Sequence, residues 1–332
     1  MNPHRPHRVA LRRLIWCTAA AVIGTSTILS VVMMACGSSH EAEASLQQGR
    51  LELVWGRGGI SEGRLKKPRA MAIDAEDRVY LVDMLARIQV FDRDGNYLRG
   101  WQTPESTNGR PTGLTIDHDG NLLVADTHYF QVLVYTPDGT LLRDKCLGGT
   151  PGNHPGEFGL VTDAVRDSAG NLYVAEYGEY DRIQKFNPEG EYLMEWGGHG
   201  TALGKFIRPQ NIAIDDQDHL WVADACNHRI QVFDASGPQA QLIRHWGEEG
   251  TELGQLRYPY DLLLDGKGHV YVCEFGNHRI QKFTLDGQVV GSWGTIGREP
   301  GELHNPWALG QDSHGSIQVL DTYNHRVQRI RL

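Results

Sequence analysis

The sequence predicts an all-β fold, a six-bladed β-propeller of four-stranded antiparallel blades. One observation is the phrase Asn-His-Arg-Ile-Gln, which occupies residues 227–231 and 277–281 and returns with Val for Ile at 324–328. A second is an acidic residue that closes a short strand-like run in six places, 43 to 50 residues apart: Asp83, Asp126, Glu176, Asp224, Glu274 and Asp321. Repeats of about 40–50 residues with several short strands in each are typical of propeller blades.

The fifth repeat shows how the four strands of one blade are expected to follow one another. These expected strands are Asp261–Leu264, Val270–Cys273, Arg279–Thr284 and Val289–Trp293. The turn before the fourth strand contains Asp286-Gly287, and such pairs favour tight hairpins because glycine accepts the positive φ that these turns need.

The two ends of the repeat region predict that the ring is closed. The sixth repeat ends at Leu332, after its third strand, and has no fourth. The run 51–56 resembles the fourth strand of a repeat, but the first three strands of a repeat do not precede it. We expect this N-terminal strand to complete the last blade, because the pairing removes an open sheet edge.

The N-terminal region has a different character from the repeats. Four arginines and no acid accompany the apolar run Leu14–Ala35, as in an export signal. The run ends at Cys36, and this junction resembles the lipidation signal of bacterial lipoproteins, although Met33 departs from the usual Leu. We therefore expect residues 1–36 to be a signal peptide lipidated at Cys36, with an uncleaved membrane anchor as the alternative. Residues 37–49 are a small, polar, flexible tether, and 50–332 are the propeller.

The expected location of the protein and its net charge limit the classes of function it can have. We expect an exported protein of the cell membrane or the outer membrane, facing the periplasm or the exterior. Beyond Cys36 the chain keeps 28 of its 32 basic residues and all 41 acidic ones, a net charge near −13. Such an acidic body argues against nucleic acid as a partner, because binding to phosphates requires positive charge. The three remaining cysteines show no metal-finger spacing. The sequence does not decide whether Cys226 and Cys273 form a disulfide.

The repeated phrase and the loops before it resemble the NHL-repeat family of six-bladed propellers. The resemblance covers about residues 51–332 and is strongest at 222–233, 272–283 and 319–330. It implies the fold but not one function, because the family includes enzymes, RNA binders and protein-interaction platforms. The histidines of the phrase stand at one position in three blades, so we expect them to be structural. Arg229, Arg279 and Arg326 are expected to pair with the acids of their blades or to contact the next blade.

Candidate binding residues follow from where loops meet around the channel of a propeller. The residues directly after the proline of each repeat, or after Val161 in the third, are Arg69, Thr112, Thr162, Gln210, Tyr260 and Trp307. The loop after the second strand adds His128, Tyr177 and Tyr323. Aromatic residues and arginine are enriched at interface hot spots. The predicted binding residues are therefore Arg69, His128, Tyr177, Tyr260, Trp307 and Tyr323.

A metal is the remaining candidate cofactor. Asp163, Asn211 and Asp261 occupy one position in three consecutive blades, and their oxygens suit Ca²⁺. The resemblance extends to peptide α-amidating lyases, which carry channel calcium and place zinc-binding histidines directly after the proline in three blades. Here none of the six residues in that position is His. The zinc chemistry is therefore not expected. Calcium is the candidate cofactor, and the alternative is that these polar residues are solvated by water or cap the first strand.

Two functions remain in view after these observations. The first is a membrane-tethered binding or scaffold propeller, whose upper channel face recognises a protein, a peptide or an envelope polysaccharide. The alternative is an extracytoplasmic metal-dependent lyase or hydrolase that uses Asp163, Asn211 and Asp261, with Tyr323 or His128 as acid or base. RNA recognition, a third function, is disfavoured by the acidic charge and by the export signal.

Overall fold

The computed structural model describes residues 46–332, which form six sheets of antiparallel strands. Each sheet is one blade, and its first strand contacts the first strands of the two neighbouring blades. The first strand of blade 6 also contacts that of blade 1, so the blades close into a ring. The predicted six-bladed propeller is confirmed.

The blades follow the chain in order. Blade 1 comprises Ala70–Ile73, Val79–Val82, Arg87–Phe91 and Tyr97–Gln102. Blade 2 comprises Gly113–Ile116, Leu122–Asp126, Gln131–Tyr135 and Leu147–Gly148. Blade 3 comprises Leu160–Arg166, Leu172–Tyr177, Arg182–Phe186 and Tyr192–Gly197. Blade 4 comprises Pro209–Ile214, Leu220–Asp224, Arg229–Asp234 and Gln241–Trp246.

The remaining strands belong to blades 5 and 6. Blade 5 comprises Pro259–Leu264, His269–Glu274, Arg279–Thr284 and Val289–Trp293. Blade 6 comprises Ala308–Gln311, Ile317–Asp321, Arg326–Arg331 and Arg50–Trp55. Short 3₁₀ turns lie at Thr127–Tyr129, Arg143–Lys145, Ala225–Asn227 and Thr322–Asn324.

The ring is closed by strands from opposite ends of the repeat region. Arg50–Trp55 pairs antiparallel with Arg326–Arg331, so the N-terminal strand completes the last blade as predicted. The structure adds a further pairing, because Gln47–Gln48 lies parallel to the outer strand of blade 5. Ordered sheet structure therefore begins within the last residues of the segment expected to be a tether.

Six hydrophobic clusters hold the blades together, one between each pair of neighbours. Between blades 6 and 1, Trp55 is 7% exposed and its ring lies 5.1 Å from that of Phe91. Gly95, in an Asp-Gly turn of blade 1, has φ +85°, and a Cβ there would lie 2.4 Å from the Trp55 indole. Glycine is therefore required at this turn both by its backbone angle and by the close approach of the tryptophan.

Five blades share one buried ion pair beneath the loop that leads into them. In blade 4, Arg229 Nε donates to Asp224 Oδ2 at 2.8 Å, and its other nitrogens donate to the carbonyl oxygens of Thr201, Ala202 and Lys205. The equivalent pairs are Arg87–Asp83, Arg182–Glu176, Arg279–Glu274 and Arg326–Asp321. The expected pairing of the repeated arginines with the acids of their blades is confirmed.

Blade 2 departs from this pattern because Gln131 stands where the other blades have arginine. Gln131 Nε2 donates to Asp126 Oδ2 at 3.0 Å. Asp126 Oδ1 has no hydrogen-bond partner among residues 46–332, although the side chain is fully buried. Burial raises the pKa of Asp126 to about 6. Blade 2 thus contains a buried carboxyl group without the cation that its counterparts have.

The other sequence-based expectations concern cysteines and the membrane. Within the described range Cys146, Cys226 and Cys273 are free thiols, so Cys226 and Cys273 do not form a disulfide. No helix in residues 46–332 is both long enough and apolar enough to cross a membrane. The export signal and the lipidation of Cys36 lie outside the described residues and stay predictions.

Candidate functional site

A central cavity of about 630 Å³ runs along the inside of the ring, and the first strands of all six blades line it. We call its end near the proline positions the upper mouth. Five of the six residues expected there lie on the cavity wall: Arg69, Thr112, Gln210, Tyr260 and Trp307. The sixth, Thr162, is buried instead, and its hydroxyl donates to the carbonyl oxygen of Pro209 at 2.6 Å.

One side of the upper mouth is an aromatic wall formed by Tyr260, Phe275, Trp307 and Tyr323. Tyr260 and Phe275 stack, with ring centroids 4.3 Å apart and planes inclined by 22°. Trp307 meets the Tyr260 ring edge-on at 5.0 Å, and Tyr323 lies 6.4 Å from Phe275. Tyr323 is 39% exposed whereas Tyr260 is 8% exposed, so the wall extends from the protein surface into the cavity. Such a surface offers apolar area at a low cost in side-chain entropy.

Beside the aromatic wall lies an arginine group formed by Arg69, Arg110 and Arg208. The Arg69 guanidinium lies 5.5 Å from the Trp307 ring. Arg208 lies over two tyrosine rings, 4.8 Å from Tyr177 and 5.2 Å from Tyr260. These cation–π contacts bring Tyr177 to the same site as the aromatic wall.

Within the described range 46–332, Arg69 has no carboxylate partner. Burial lowers the pKa of Arg69, the charges of Tyr177 and Tyr323 raise it, and those of Arg110 and Arg208 lower it further. Among residues 46–332, no carboxylate lies within ion-pair distance of this guanidinium. A partly buried cation beside two further arginines gives the mouth a local positive charge, although the protein as a whole is acidic.

His128 borders the arginine group on the blade 2 side. Burial lowers the pKa of His128, and the charges of Arg69 and Arg110 lower it further. Its Nδ1 has no hydrogen-bond partner among the described residues. The six predicted binding residues are therefore all placed at one mouth, with Arg208 and Phe275 as links between them.

The proposed calcium ligands lie on the cavity wall and connect neighbouring blades. Asp163 Oδ2 accepts from Asn211 Nδ2 at 2.8 Å and from the Ile212 amide at 3.2 Å. Asn211 Oδ1 accepts from the Leu262 amide at 3.0 Å, and Asp261 Oδ2 accepts from the Leu309 amide at 2.6 Å. Each side chain thus accepts a hydrogen bond from an amide within the first strand of the next blade.

These hydrogen bonds do not use all the acceptor capacity of two carboxylates. Burial raises the pKa of Asp163 to about 7, and burial together with the nearby Asp163 charge raises the pKa of Asp261 well above its ordinary value. Within residues 46–332, no three His, Cys, Asp or Glu side chains are grouped as a metal site would require. Calcium bound by Asp163, Asn211 and Asp261 stays a prediction.

Two residues of the mouth were missed in the sequence. Phe275 directly follows Glu274, as Tyr177 directly follows Glu176, so its position in the repeat was the available signal. Arg208 precedes its proline, whereas the predicted mouth residues follow theirs. Its side chain nevertheless reaches the mouth, and its Nε donates to Gln210 Oε1 at 2.8 Å.

The fold and the site together define a closed propeller with a binding mouth at one end of its channel. The family model for the NHL repeat matches residues 206–233 and 256–283. With the six-bladed structure, this match supports assigning the chain to the NHL-repeat propeller family.

Curated relatives cover only part of the chain. It is 39% identical over 132 residues to peptidyl-glycine alpha-amidating monooxygenase B of Xenopus laevis, which is 38% of this chain and 15% of that protein. It is 27% identical over 208 residues to NHL repeat-containing protein 3 of Mus musculus, 56% of each chain. The chain thus spans 15% and 56% of the lengths of these two relatives.

Solved structures support the fold. A streptogramin B lyase superposes with a TM-score of 0.60 at 13% identity, covering 86% of this chain and 98% of that one. A virginiamycin B lyase from Staphylococcus aureus gives a TM-score of 0.58 at 14% identity, with 86% and 99% coverage. At this level of identity the similarity shows a shared architecture.

Proposed function

We propose that this protein binds a peptide at the upper mouth, with the arginine group receiving a carboxylate and the aromatic wall receiving an apolar side chain. The observation that carries the proposal is Arg69, a partly buried guanidinium whose neighbours are two other arginines and two tyrosines. Removing a cation from water is unfavourable unless a counter-charge is supplied. A ligand carboxylate would supply it with the paired hydrogen bonds that a guanidinium prefers.

The geometry of the mouth favours a ligand that is both anionic and apolar. Arg208 and Arg69 are each stacked on aromatic rings, so their charged groups are held at the edge of the aromatic wall. A carboxylate bound there would place its attached side chain against Tyr260, Trp307 or Tyr323. Hydrogen bonds to a charged group contribute about 1.5–3 kcal/mol each, so loss of Arg69 should matter more than loss of a surface arginine.

A peptide is preferred over the other ligands considered, a folded protein surface or an envelope polysaccharide. The amidating monooxygenases to which the chain is similar are named for peptidyl-glycine substrates. A neutral polysaccharide would leave the charge of Arg69 without a partner. We further propose that the propeller is exported and displayed at a membrane through Cys36, so that its ligand is an extracytoplasmic peptide.

Two probes test the proposal: an N-acetylated dipeptide that ends in phenylalanine with a free carboxylate, and the same dipeptide as its C-terminal amide. Titration calorimetry on the full-length chain should show binding of the carboxylate and much weaker binding of the amide. Arg69→Gln should weaken carboxylate binding about 10- to 100-fold. The control Arg244→Gln removes an arginine from the outer strand of blade 4 and should leave binding unchanged.

Equal affinity for the two dipeptides, or unchanged binding in Arg69→Gln, would refute the assignment. An acidic oligosaccharide that binds where the dipeptide does not would identify a polysaccharide ligand instead. Incubation of the dipeptide with the protein and Ca²⁺ or Zn²⁺, followed by mass spectrometry, tests the alternative lyase or hydrolase function. Conversion of the dipeptide would show that the protein is an enzyme and not only a binding protein.

A further inference from the structure

The histidines of the repeated phrase join each of their blades to the next. His228, His278 and His325 have φ values of 55°, 55° and 56°, in the left-handed region. In each, the ring Nδ1 accepts a hydrogen bond from a backbone amide of the following blade. The distances are 3.1 Å for Tyr258 to His228, 2.9 Å for Asn305 to His278 and 2.9 Å for Lys67 to His325. We call these contacts the histidine latches.

Blade 3 makes the same contact with a different side chain. Asp181, also left-handed with φ 45°, accepts from the Arg208 amide through Oδ1 at 2.8 Å. In blades 1 and 2 the equivalent residues, Ala86 and Phe130, have no side-chain acceptor to offer. Four of the six joints are therefore latched, three by imidazole and one by carboxylate.

The latched amides belong to the segments that build the upper mouth. Each histidine holds the residue before a proline, and the residue after that proline is a mouth residue: Lys67 leads to Arg69, Tyr258 to Tyr260 and Asn305 to Trp307. The aspartate latch holds Arg208 itself. The held residues Lys67, Arg208, Tyr258 and Asn305 all have positive φ, between 45° and 60°. Such backbone conformations persist only where neighbouring contacts fix them.

Imidazole can act as this acceptor only when it is neutral. The neutral ring with its proton on Nε2 has a free lone pair on Nδ1, whereas the protonated ring carries hydrogens on both nitrogens and accepts nothing. A carboxylate such as Asp181 remains an acceptor through the pH range in which histidine titrates. Protonation would therefore place two N–H groups against each other at three joints and leave the fourth intact.

The charged surroundings of the latches mostly favour the neutral ring. Burial lowers the pKa of His228, Glu249 opposes this at 3.9 Å from Nε2, and Arg257 adds to it, while the Tyr258 ring packs edge-on at 4.7 Å. For His278, burial lowers the pKa, with His304 and Arg257 in the same sense and Asp321 opposing.

For His325, burial again lowers the pKa, with Lys66 and Lys67 in the same sense and Asp321 opposing. A histidine whose folded-state pKa lies below its unfolded value stabilises the fold least when it is protonated. The contribution is intact above the ordinary pKa of imidazole and is lost as the pH falls below it. All three latches therefore weaken in the same direction, toward acid.

We infer that the histidine latches make the upper mouth acid-sensitive, so that protonation releases the segments carrying Arg69, Tyr260 and Trp307 while Asp181 keeps Arg208 in place. The effect on ligand rests on the proposed function, and the loosening of the joints rests on the latch geometry alone. Ligand would then be held at neutral pH and released in an acidic compartment.

The loosening is measured without any ligand, by NMR of the full-length chain at about pH 7.5 and about pH 5, on either side of the ordinary histidine pKa. Hydrogen-exchange protection factors of the Lys67, Tyr258 and Asn305 amides should fall at least about tenfold at the lower pH, because these amides lose their acceptor. The Arg208 amide should keep its protection. Unchanged protection after the histidines have protonated, or an equal loss at Arg208, would overturn the inference.

Substitution by aspartate copies the latch of blade 3. The variant with His228→Asp, His278→Asp and His325→Asp should hold all three amides equally at both pH values. If it does not fold, His278→Asp alone serves, with the two remaining histidine latches as internal controls. Acid-labile protection of the Asn305 amide in that variant would count against the role of the imidazole.

The dipeptide carboxylate then tests the consequence at the mouth, since its own charge is constant above about pH 5. Its affinity for the natural chain should fall at least about tenfold between the two pH values and stay constant in the triple aspartate variant. Absence of binding at either pH refutes the proposed function and leaves the exchange result standing. Constant binding while the three amides lose protection refutes the link between latch and mouth.

Discussion

The buried carboxyl group of blade 2 gives the sharpest stability test of the repeat pattern. Asp126 corresponds to the acids that pair with arginine in the other five blades, but among residues 46–332 its only side-chain partner is Gln131. We predict that Asp126→Asn stabilises the protein at alkaline pH. The amide oxygen keeps the hydrogen bond from Gln131, and the buried negative charge is removed.

The magnitude follows from the pKa of Asp126. Burial raises this pKa from 3.8 to about 6, roughly two units, and each unit corresponds to about 1.4 kcal/mol. Ionising Asp126 therefore costs the folded state about 3 kcal/mol, and full burial of the side chain means that solvent does not reduce this cost. The cost is complete above about pH 6 and absent below about pH 4, where the carboxyl is protonated whether the chain is folded or not.

Urea unfolding followed by tryptophan fluorescence measures the effect, since the chain has eight tryptophans. Asp126→Asn should raise the free energy of unfolding by up to about 3 kcal/mol at about pH 8, and by close to zero at about pH 4. The matched control, Asp224→Asn, leaves Arg229 without its carboxylate and should destabilise by about 3 kcal/mol or more. A loss of stability in Asp126→Asn at alkaline pH, or an equal gain at both pH values, would show that the charge is not the cause.

Three further predictions concern the mouth, the channel and the N-terminus. Trp307→Ala should leave the urea midpoint close to that of the natural chain while weakening dipeptide binding at least about tenfold in calorimetry. If calcium binds at Asp163, Asn211 and Asp261, added Ca²⁺ should raise the thermal midpoint of the natural chain but not that of Asp261→Asn, and equal shifts would exclude this site. Metabolic labelling with palmitate should label the natural chain but not Cys36→Ala, whereas absence of the label from the natural chain would favour the uncleaved anchor.

The fold was predictable from the sequence because one structural unit is repeated six times along the chain. The spacing of the acids at the ends of the second strands indicated the length of each blade. The isolated strand near Leu51 indicated how the ring closes. The parallel pairing of Gln47–Gln48 was not predictable, since two exposed glutamines carry no alternation of apolar and polar residues. Its hydrogen bonds come from the backbone edge of blade 5, which only the assembled sheet presents.

The site was predictable in part. Equivalent residues of a ring face the same axis. Their position in the repeat therefore predicted that Arg69, Tyr260 and Trp307 lie at one mouth, where the structure places them. The role of Arg208 depends on a left-handed backbone that turns its side chain toward Tyr177. The partner of His278 is an amide 27 residues away in the next blade. Contacts between blades of this kind depend on the angle at which blades meet, which the repeat does not encode.

The pairing of Arg50–Trp55 with Arg326–Arg331 also dictates the order in which the molecule is assembled. The chain is synthesised from its N-terminus, so Arg50–Trp55 is made long before its partner Arg326–Arg331. Until these two strands pair, each has an unpaired edge through which the nascent protein can pair with other chains. A circular permutant that places Arg50–Trp55 directly after Arg331 would make the final hairpin local, and it should mature faster and aggregate less during refolding.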